Sequence, residues 1–335
     1  MILLTGATGL LGSRILFDLV SMGFMVRAMK RDTSRMQCVE HYFAAAPHLL
    51  KNIEWVNGDI NDIYSLDSVM SGVNQVYHCA ARVSFQPSDH DSMHHVNING
   101  TANVVNVCLE KKVSKLCFVS STAALGRTGE EPVVDESGSW KTSRLNSTYA
   151  ISKYGAEREV WRGIAEGLNA VIVNPGVIIG PGNWKTDSSM LFRQVEAGLK
   201  FYTSGITGFV DVKDVSATMI KLMESAITSE RFILVGENKP FRDVMDRIAD
   251  KIGKSRPGVY AGPLLSGFAW RMEMMKSWLT GIKPVITRET ARSANGKNFY
   301  SSEKIKSLLK IEFTPIMESI DNTAEIYLSY RKQLV

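Results

Sequence analysis

The residues Thr5-Gly6-Ala7-Thr8-Gly9-Leu10-Leu11-Gly12 decide how the chain is read. The apolar run Met1-Ile2-Leu3-Leu4 precedes them, and a segment of helical period follows directly. A glycine-rich turn between a strand and a helix is a phosphate-binding signature, which the same glycines elsewhere are not. Gly6 permits the tight turn, Gly9 lets backbone approach a pyrophosphate, and Gly12 lets helix and strand pack closely. The helix N-terminus then turns its N–H groups and dipole toward the phosphates.

Outward from this turn, short β-rich runs alternate with helical segments, the pattern of a parallel sheet built from βαβ units. Strands are expected near 1–5, 25–29, 53–57, 74–79, 115–120, 170–174 and 231–235. Helices are expected near 10–22, 34–46, 62–71, 92–111 and 148–166. The fold class is α/β, a Rossmann-type doubly wound parallel sheet with a smaller mixed α/β substrate-binding lobe. After Pro175 the rhythm becomes turn-rich, so the expected division is 1–175 plus about 208–236 for the dinucleotide-binding domain. The substrate lobe takes about 176–207 plus 237–335. The stretch from Gly208 to Val215 and the strand Phe232-Ile233-Leu234-Val235 are expected to return to the sheet.

Composition narrows the function classes. The chain has 335 residues, with 44% hydrophobic and 22% charged, as in a globular chain with a substantial core. Its net charge of +5 reads as spread along the sequence, which argues against nucleic acid. Cys38, Cys79, Cys108 and Cys117 form no CxxC pair, so buried thiols in a reducing, cytoplasmic compartment are expected. The opening apolar run breaks at once into glycines, so no secretory leader is expected. The longest uncharged run, Gly167 to Trp184, is interrupted by Asn174-Pro175-Gly176 and Gly180-Pro181-Gly182, and no membrane span is expected. His90 and His94 stand at i and i+4 but lack the HExxH order and a third ligand, so no metal is expected; they are read as capping and covering a helix start.

Further motifs follow in order. Where the second strand ends, an acid would suit the ribose of NAD. The chain instead reads Arg27-Ala28-Met29-Lys30-Arg31-Asp32. Arg31, supported by Lys30, suits a 2′-phosphate and favours NADP(H), while Asp32 leaves NAD(H) as the alternative. Tyr149-Ala150-Ile151-Ser152-Lys153 sets a phenol and an ammonium on one helix face, about 6 Å apart along the axis. A nearby cation favours the phenolate. Phe118-Val119-Ser120-Ser121-Thr122-Ala123-Ala124-Leu125-Gly126 reads as a buried strand ending in hydroxyls at the cleft, where one of them can stabilise charge on a reacting oxygen.

The GxxGxxG loop, the serine-ended strand and the YxxxK pair together resemble the extended short-chain dehydrogenase/reductase superfamily, the NAD-dependent epimerase/dehydratase family. The match covers roughly residues 1–215, and the 26–32 stretch is most like the dihydroflavonol-4-reductase-like branch. The resemblance implies Tyr149 as acid/base, Lys153 as its partner and ribose ligand, and one active-site hydroxyl. Distance from Gly126 selects Ser121, and the start of the serine run selects Thr122.

The resemblance also implies cofactor contacts from Gly6, Thr8, Gly9, Leu10, Leu11, Gly12, Lys30 and Arg31. Asp59 and Ile60 would lie at the adenine; read by itself, Asp59 is a turn acid or helix cap. Ala80, Ala81 and Arg82 would border the ribose and phosphate, Asn97 would brace the site, and Pro175, Val177 and Ile178 would lie by the carboxamide. Asn174 departs from the family, where many members carry Arg before Pro-Gly.

The implied activity is NADPH-dependent reduction of an aldehyde or ketone in a small, fairly apolar molecule. The alternatives are a nucleotide-sugar epimerase using the same residues without net redox, and a non-catalytic dinucleotide-binding regulator. A dehydratase would follow the hydroxyl with Asp-Glu, where this chain has Thr122-Ala123. Specificity falls on loops near 82–92, 127–147 and 183–205, and the helices near 92–111 and 148–166 imply a possible homodimer. Leu265, Phe268, Met272, Met275 and Leu279 repeat at helical spacing and are expected to pack on the smaller lobe. A lid or membrane-facing helix is the alternative, since Trp270 and Trp278 accompany them.

Overall fold

The computed structural model describes all residues except 127–132, 144–145, 281–283, 285–286 and 333–335. Part of the 127–147 specificity loop therefore lies outside the described residues.

A seven-stranded sheet forms the centre: β1 (Ile2–Thr5), β2 (Val26–Lys30), β3 (Ile53–Asn57), β4 (Gln75–His78), β5 (Lys115–Val119), β6 (Ala170–Pro175) and, later in the chain, Glu230–Leu234. Every neighbouring pair in it is parallel. β1 and β6 are buried along their whole length, as expected of strands covered on both faces. The strand order runs β3, β2, β1, β4, β5, β6 and then the late strand. The order reverses between β1 and β4, where an open α/β sheet forms its ligand crevice.

Helices α1 (Leu10–Ser21) and α2 (Gln37–Phe43) cover one face. α3 (Ile63–Val69), α4 (His90–His94), α5 (Gly100–Glu110) and α6 (Thr148–Ala165) line the other. α4 and α5 form one continuous helix through a π turn at His95–Asn99.

Past β6 the chain crosses to β7 (Val177–Ile179), α7 (Met190–Glu196), β8 (Phe201–Tyr202) and β9 (Ile206–Asp211). It comes back with α8 (Val212–Glu224) and β10 (Glu230–Leu234), then leaves again through β11 (Glu237–Pro240), α9 (Phe241–Lys251), β12 (Val259–Tyr260), α10 (Pro263–Thr280), α11 (Arg288–Ser293), α12 (Glu303–Leu309) and α13 (Ile316–Lys332). A second core gathers Trp184, Phe192, Val244, Ile248, Ile320 and Tyr327.

Two expectations are corrected. The strand within Gly208–Val215 does not rejoin the central sheet; β9 pairs with β7 and, antiparallel, with β11 in a separate three-stranded sheet. Only from Val212 does the chain return: Asp211 caps α8 by accepting from the Lys213 amide, and Val215, Met219 and Leu222 bury in the main core.

The apolar stripe of α10 does not pack inward. Phe268 and Met275 are more than half exposed, and Leu265 and Met272 are exposed too. All four cysteines are free, and burial pushes the thiols of Cys38, Cys79 and Cys108 up to about 12.

Candidate active site

The turn after β1 is built as the glycines require. Gly6 has φ +70°, and a Cβ there would meet the Ala80 nitrogen at 2.7 Å. A Cβ on Gly12 would lie 2.0 Å from the Gly6 carbonyl oxygen, so helix and turn meet with no room for a side chain. At Gly9, the N-cap of α1, the nearest protein atom to such a Cβ is 3.4 Å away, and no side chain caps the helix. The first turn of α1 carries no acid. This is a cradle suited to a dinucleotide pyrophosphate.

Behind it, buried His78 links β1 to α5. Its Nδ1 lies 2.7 Å from Thr5 Oγ1 and its Nε2 3.1 Å from Thr101 Oγ1. Burial, with Lys153 nearby, lowers the imidazole to about 3, so it stays neutral. The Ala80 amide donates to the same Thr5 hydroxyl at 3.3 Å. Asn97, in the π turn, accepts from the Arg82 amide at 2.7 Å and donates to the Arg82 carbonyl and to Ser152 Oγ. One asparagine thus ties the loop after β4 to α6; π turns recur at such sites.

At the adenosine end, β2 stops at Lys30, so Arg31 and Asp32 lie beyond the strand. Arg31 is exposed, its backbone anchored by bonds with Ser34. Asp59 accepts from the backbone and side chain of Asn61, the turn-acid reading, and Asp62 is the residue that caps α3. Ile60 is buried against Gly100. The helix at His90 is not capped by a side chain. His90 instead reaches Thr148 Oγ1 at 3.1 Å, and Thr148 donates to Glu289. Among the described residues no three His, Cys, Asp or Glu side chains gather as a metal would need.

The hydroxyls converge where β5 ends. Ser147 caps α6, which places Tyr149 on its first turn. The Ser121 hydroxyl accepts from the Ala123 amide and acts on the Tyr149 phenol, while Thr122 is buried inside the following 3-10 turn. Burial raises the phenol above its usual value, partly offset by Ser121, so the free site holds a protonated tyrosine. Lys153 is buried, with Nζ 2.7 Å from the Val119 carbonyl oxygen and 4.7 Å from the Phe118 ring centroid. Burial lowers it to about 8 despite the opposing pull of Glu157. The Phe85 and Tyr149 rings meet at a steep angle, 63°, with centroids 6.0 Å apart. Pro175 ends β6, and Val177 and Ile178, half-buried, open the small sheet beside it.

A group the motifs did not announce stands behind these residues. Glu157, 2% exposed, accepts from Ser120 Oγ at 2.6 Å, Asn174 Nδ2 at 2.8 Å, Trp161 Nε1 at 3.3 Å and Arg231 Nη1 at 3.2 Å. Asn174 also donates to the Ser121 carbonyl at 3.0 Å. The cation that faces Glu157 is thus Arg231, from β10. Glu157 was legible as the residue one turn beyond Lys153 on the same face; Arg231 gave no signal.

The fold and this site define a nucleotide-dependent oxidoreductase or epimerase. The chain belongs to the NAD dependent epimerase/dehydratase family, whose model matches residues 2–236, and is an NAD(P)-dependent enzyme of the extended short-chain dehydrogenase/reductase type. It is 27% identical over 325 residues to a putative dihydroflavonol 4-reductase of Synechocystis, covering 94% of this chain and 91% of that one. It is 28% identical to sterol demethylase protein B of Methylococcus capsulatus, covering 80% and 79%. Among solved structures, gox2253 matches with a TM-score of 0.80 at 29% identity over 98% of both chains. Thermus thermophilus UDP-glucose 4-epimerase in complex with NAD matches with a TM-score of 0.75 at 21% identity, over 97% and 98%, a likeness of fold.

Proposed function

We infer that the protein is an NADPH-dependent reductase of a small, fairly apolar aldehyde or ketone. The observation that carries this reading is the placement of Tyr149 on the first turn of α6, against Phe85, with Lys153 buried one turn further along the same helix and Ser121 at the end of β5. A carbonyl reductase needs a proton donor there, and a phenol whose proton is held by burial is one. In this account Tyr149 gives its proton to the carbonyl oxygen and Ser121 orients that oxygen. Lys153, one turn further along α6, would lend positive charge to the phenol and hold the ribose, and Asn97 fixes the loop after β4. A bound nicotinamide supplies the hydride.

Support for NADPH comes from the exposed Arg31 and the half-buried Lys30 at the end of β2, neither of them in an ion pair among the described residues. A diphosphate sugar would call for arginine clamps, and residues 176–210 hold only Lys185, Arg193 and Lys200 as cations. The proposed division of labour assigns the cofactor to residues 1–175 and about 208–236, with strand pairing moving the second boundary to Asp211. The substrate falls to the remainder. A homodimer pairing α4–α5 with α6 belongs to the same reading.

The test is an NADPH-oxidation screen over apolar aldehydes, ketones and sterols, run beside an assay for nucleotide-sugar epimerisation. Net cofactor consumption with a carbonyl substrate is expected. Epimerisation without consumption would replace the reading.

A further inference from the structure

α10 is built with its polar side toward the protein. Ser266 is buried, donating to the Ala261 carbonyl at 3.0 Å and accepting from Asn295 at 3.1 Å; Ala269, Glu273 and Ser277 follow on that side. The opposite side carries Leu264, Phe268, Met275 and Trp278, which are 93, 62, 51 and 85% exposed. Their spacing of four, seven and three residues keeps them on one stripe, reversing the usual orientation of a surface helix. The strand pair β8 and β12, which leads into the helix, adds Phe201, Val259 and Tyr260, each about half exposed. An apolar surface of this extent on a folded chain marks a binding face.

Charge identifies what it binds. From Lys251 to Lys297 the sequence has nine Lys and Arg against two Glu, a surplus of seven in a chain whose net charge is +5, so the rest is net −2. In the sequence, the surplus is therefore concentrated in the stretch that contains α10. Arg271 lies on the stripe between Phe268 and Met275, its guanidinium 4.7 Å from the Trp270 ring centroid, and the exposed Lys276, 3.8 Å from Glu273, follows on the same helix. No described helix is long and apolar enough to cross a membrane. Large apolar side chains with flanking cations, on a helix that cannot span, suit the interface of an anionic bilayer.

We propose that α10 docks the protein on an anionic lipid surface, with Leu264, Phe268, Met275 and Trp278 buried among the acyl chains. Pro284 and Glu289, which follow α10 in the sequence, lie at the cleft. The Pro284 carbonyl accepts from Gln86 Nε2 at 2.7 Å, beside Phe85, and Glu289 accepts from the Thr148 amide and hydroxyl, beside Tyr149. Docking therefore sets the cleft mouth near the membrane. That this admits lipid-dissolved carbonyl substrates rests on the reductase reading; the docking itself does not.

The test is cosedimentation of the full chain with vesicles of phosphatidylcholine, alone or mixed with phosphatidylglycerol, in the wild type and in Phe268→Glu/Trp278→Glu. These exposed positions leave the fold intact. The wild type is expected to bind the mixed vesicles, more weakly at high salt, and the variant to lose at least about tenfold in partitioning. NADPH binding, measured in the same samples, is expected to be unchanged. No binding to the mixed vesicles, or equal binding by the variant, overturns the proposal. So does a wild-type dimer that the variant dissociates, since the stripe would then face a second copy. Because the assay needs no turnover, failure of the carbonyl screen leaves this result standing.

Discussion

Arg231 on β10 places its Nη1 3.2 Å from Oε1 of Glu157 on α6, and its other nitrogens donate to the carbonyls of Glu136 and Gly138. The pair therefore joins the last strand of the sheet, the helix bearing Tyr149 and Lys153, and the loop at 136–138.

Removing one partner of a buried pair leaves the other charge without compensation, at a cost of about 3–5 kcal/mol. Arg231→Met is expected to lose stability on that scale, with Arg231→Met/Glu157→Gln recovering part of it. Urea unfolding checks this, and an Arg231→Met as stable as the wild type would remove the pair from the account.

Tyr149→Phe keeps the ring against Phe85 and removes only the phenolic hydroxyl. Turnover is expected to fall about 10²–10⁴-fold, the range of a lost general acid, with NADPH affinity retained. Undiminished turnover would sink the mechanism.

Arg31→Ala removes the exposed guanidinium past β2. NADPH affinity is expected to drop by roughly 1.5–3 kcal/mol, the worth of a hydrogen bond to a charged group, while NADH affinity stays put. Fluorescence titration with both cofactors measures it, and an equal loss for both would mean that Arg31 does not read the 2′-phosphate.

His78 predicts acid lability. Its folded value of about 3 lies below the ordinary 6.5, so the unfolded chain binds more protons between the two. Stability is then fully present above the ordinary value and drains as pH falls through the window, by up to about 1.4 kcal/mol per pH unit. Denaturation midpoints of the wild type and His78→Gln across that window give the check; parallel pH curves would refute the assignment.

Much of this was legible in the sequence because it is local. The seven strand positions of the central sheet, the Gly6–Gly12 cradle and the Tyr149–Lys153 spacing depend on neighbours within a turn or two of chain. Ser121 and Thr122 could not be told apart in the sequence because their difference is one of burial: Thr122 lies inside the 3-10 turn, whereas Ser121 caps it. β9 misled because an apolar strand after a turn does not say which sheet it joins; pairing with β11 is a tertiary choice. α10 misled because its period was read correctly and its direction was not: the stripe exists, but the packing partner on the other side is polar. Arg231 was invisible, lying 74 residues beyond the glutamate it serves.

The late return of β10 has a consequence for biosynthesis. The seventh strand leaves the ribosome only after the chain has made its excursion through β7 to β9, so until then β6 is an open edge and Glu157 has no cation. A nascent chain that ends before β10 already holds the Gly6–Gly12 turn and the Tyr149–Lys153 pair, yet its β6 edge is unpaired. Closure of the β6 edge and pairing of Glu157 therefore wait for the residues up to Leu234, and a truncation before β10 should yield a chain that aggregates at its unpaired strand.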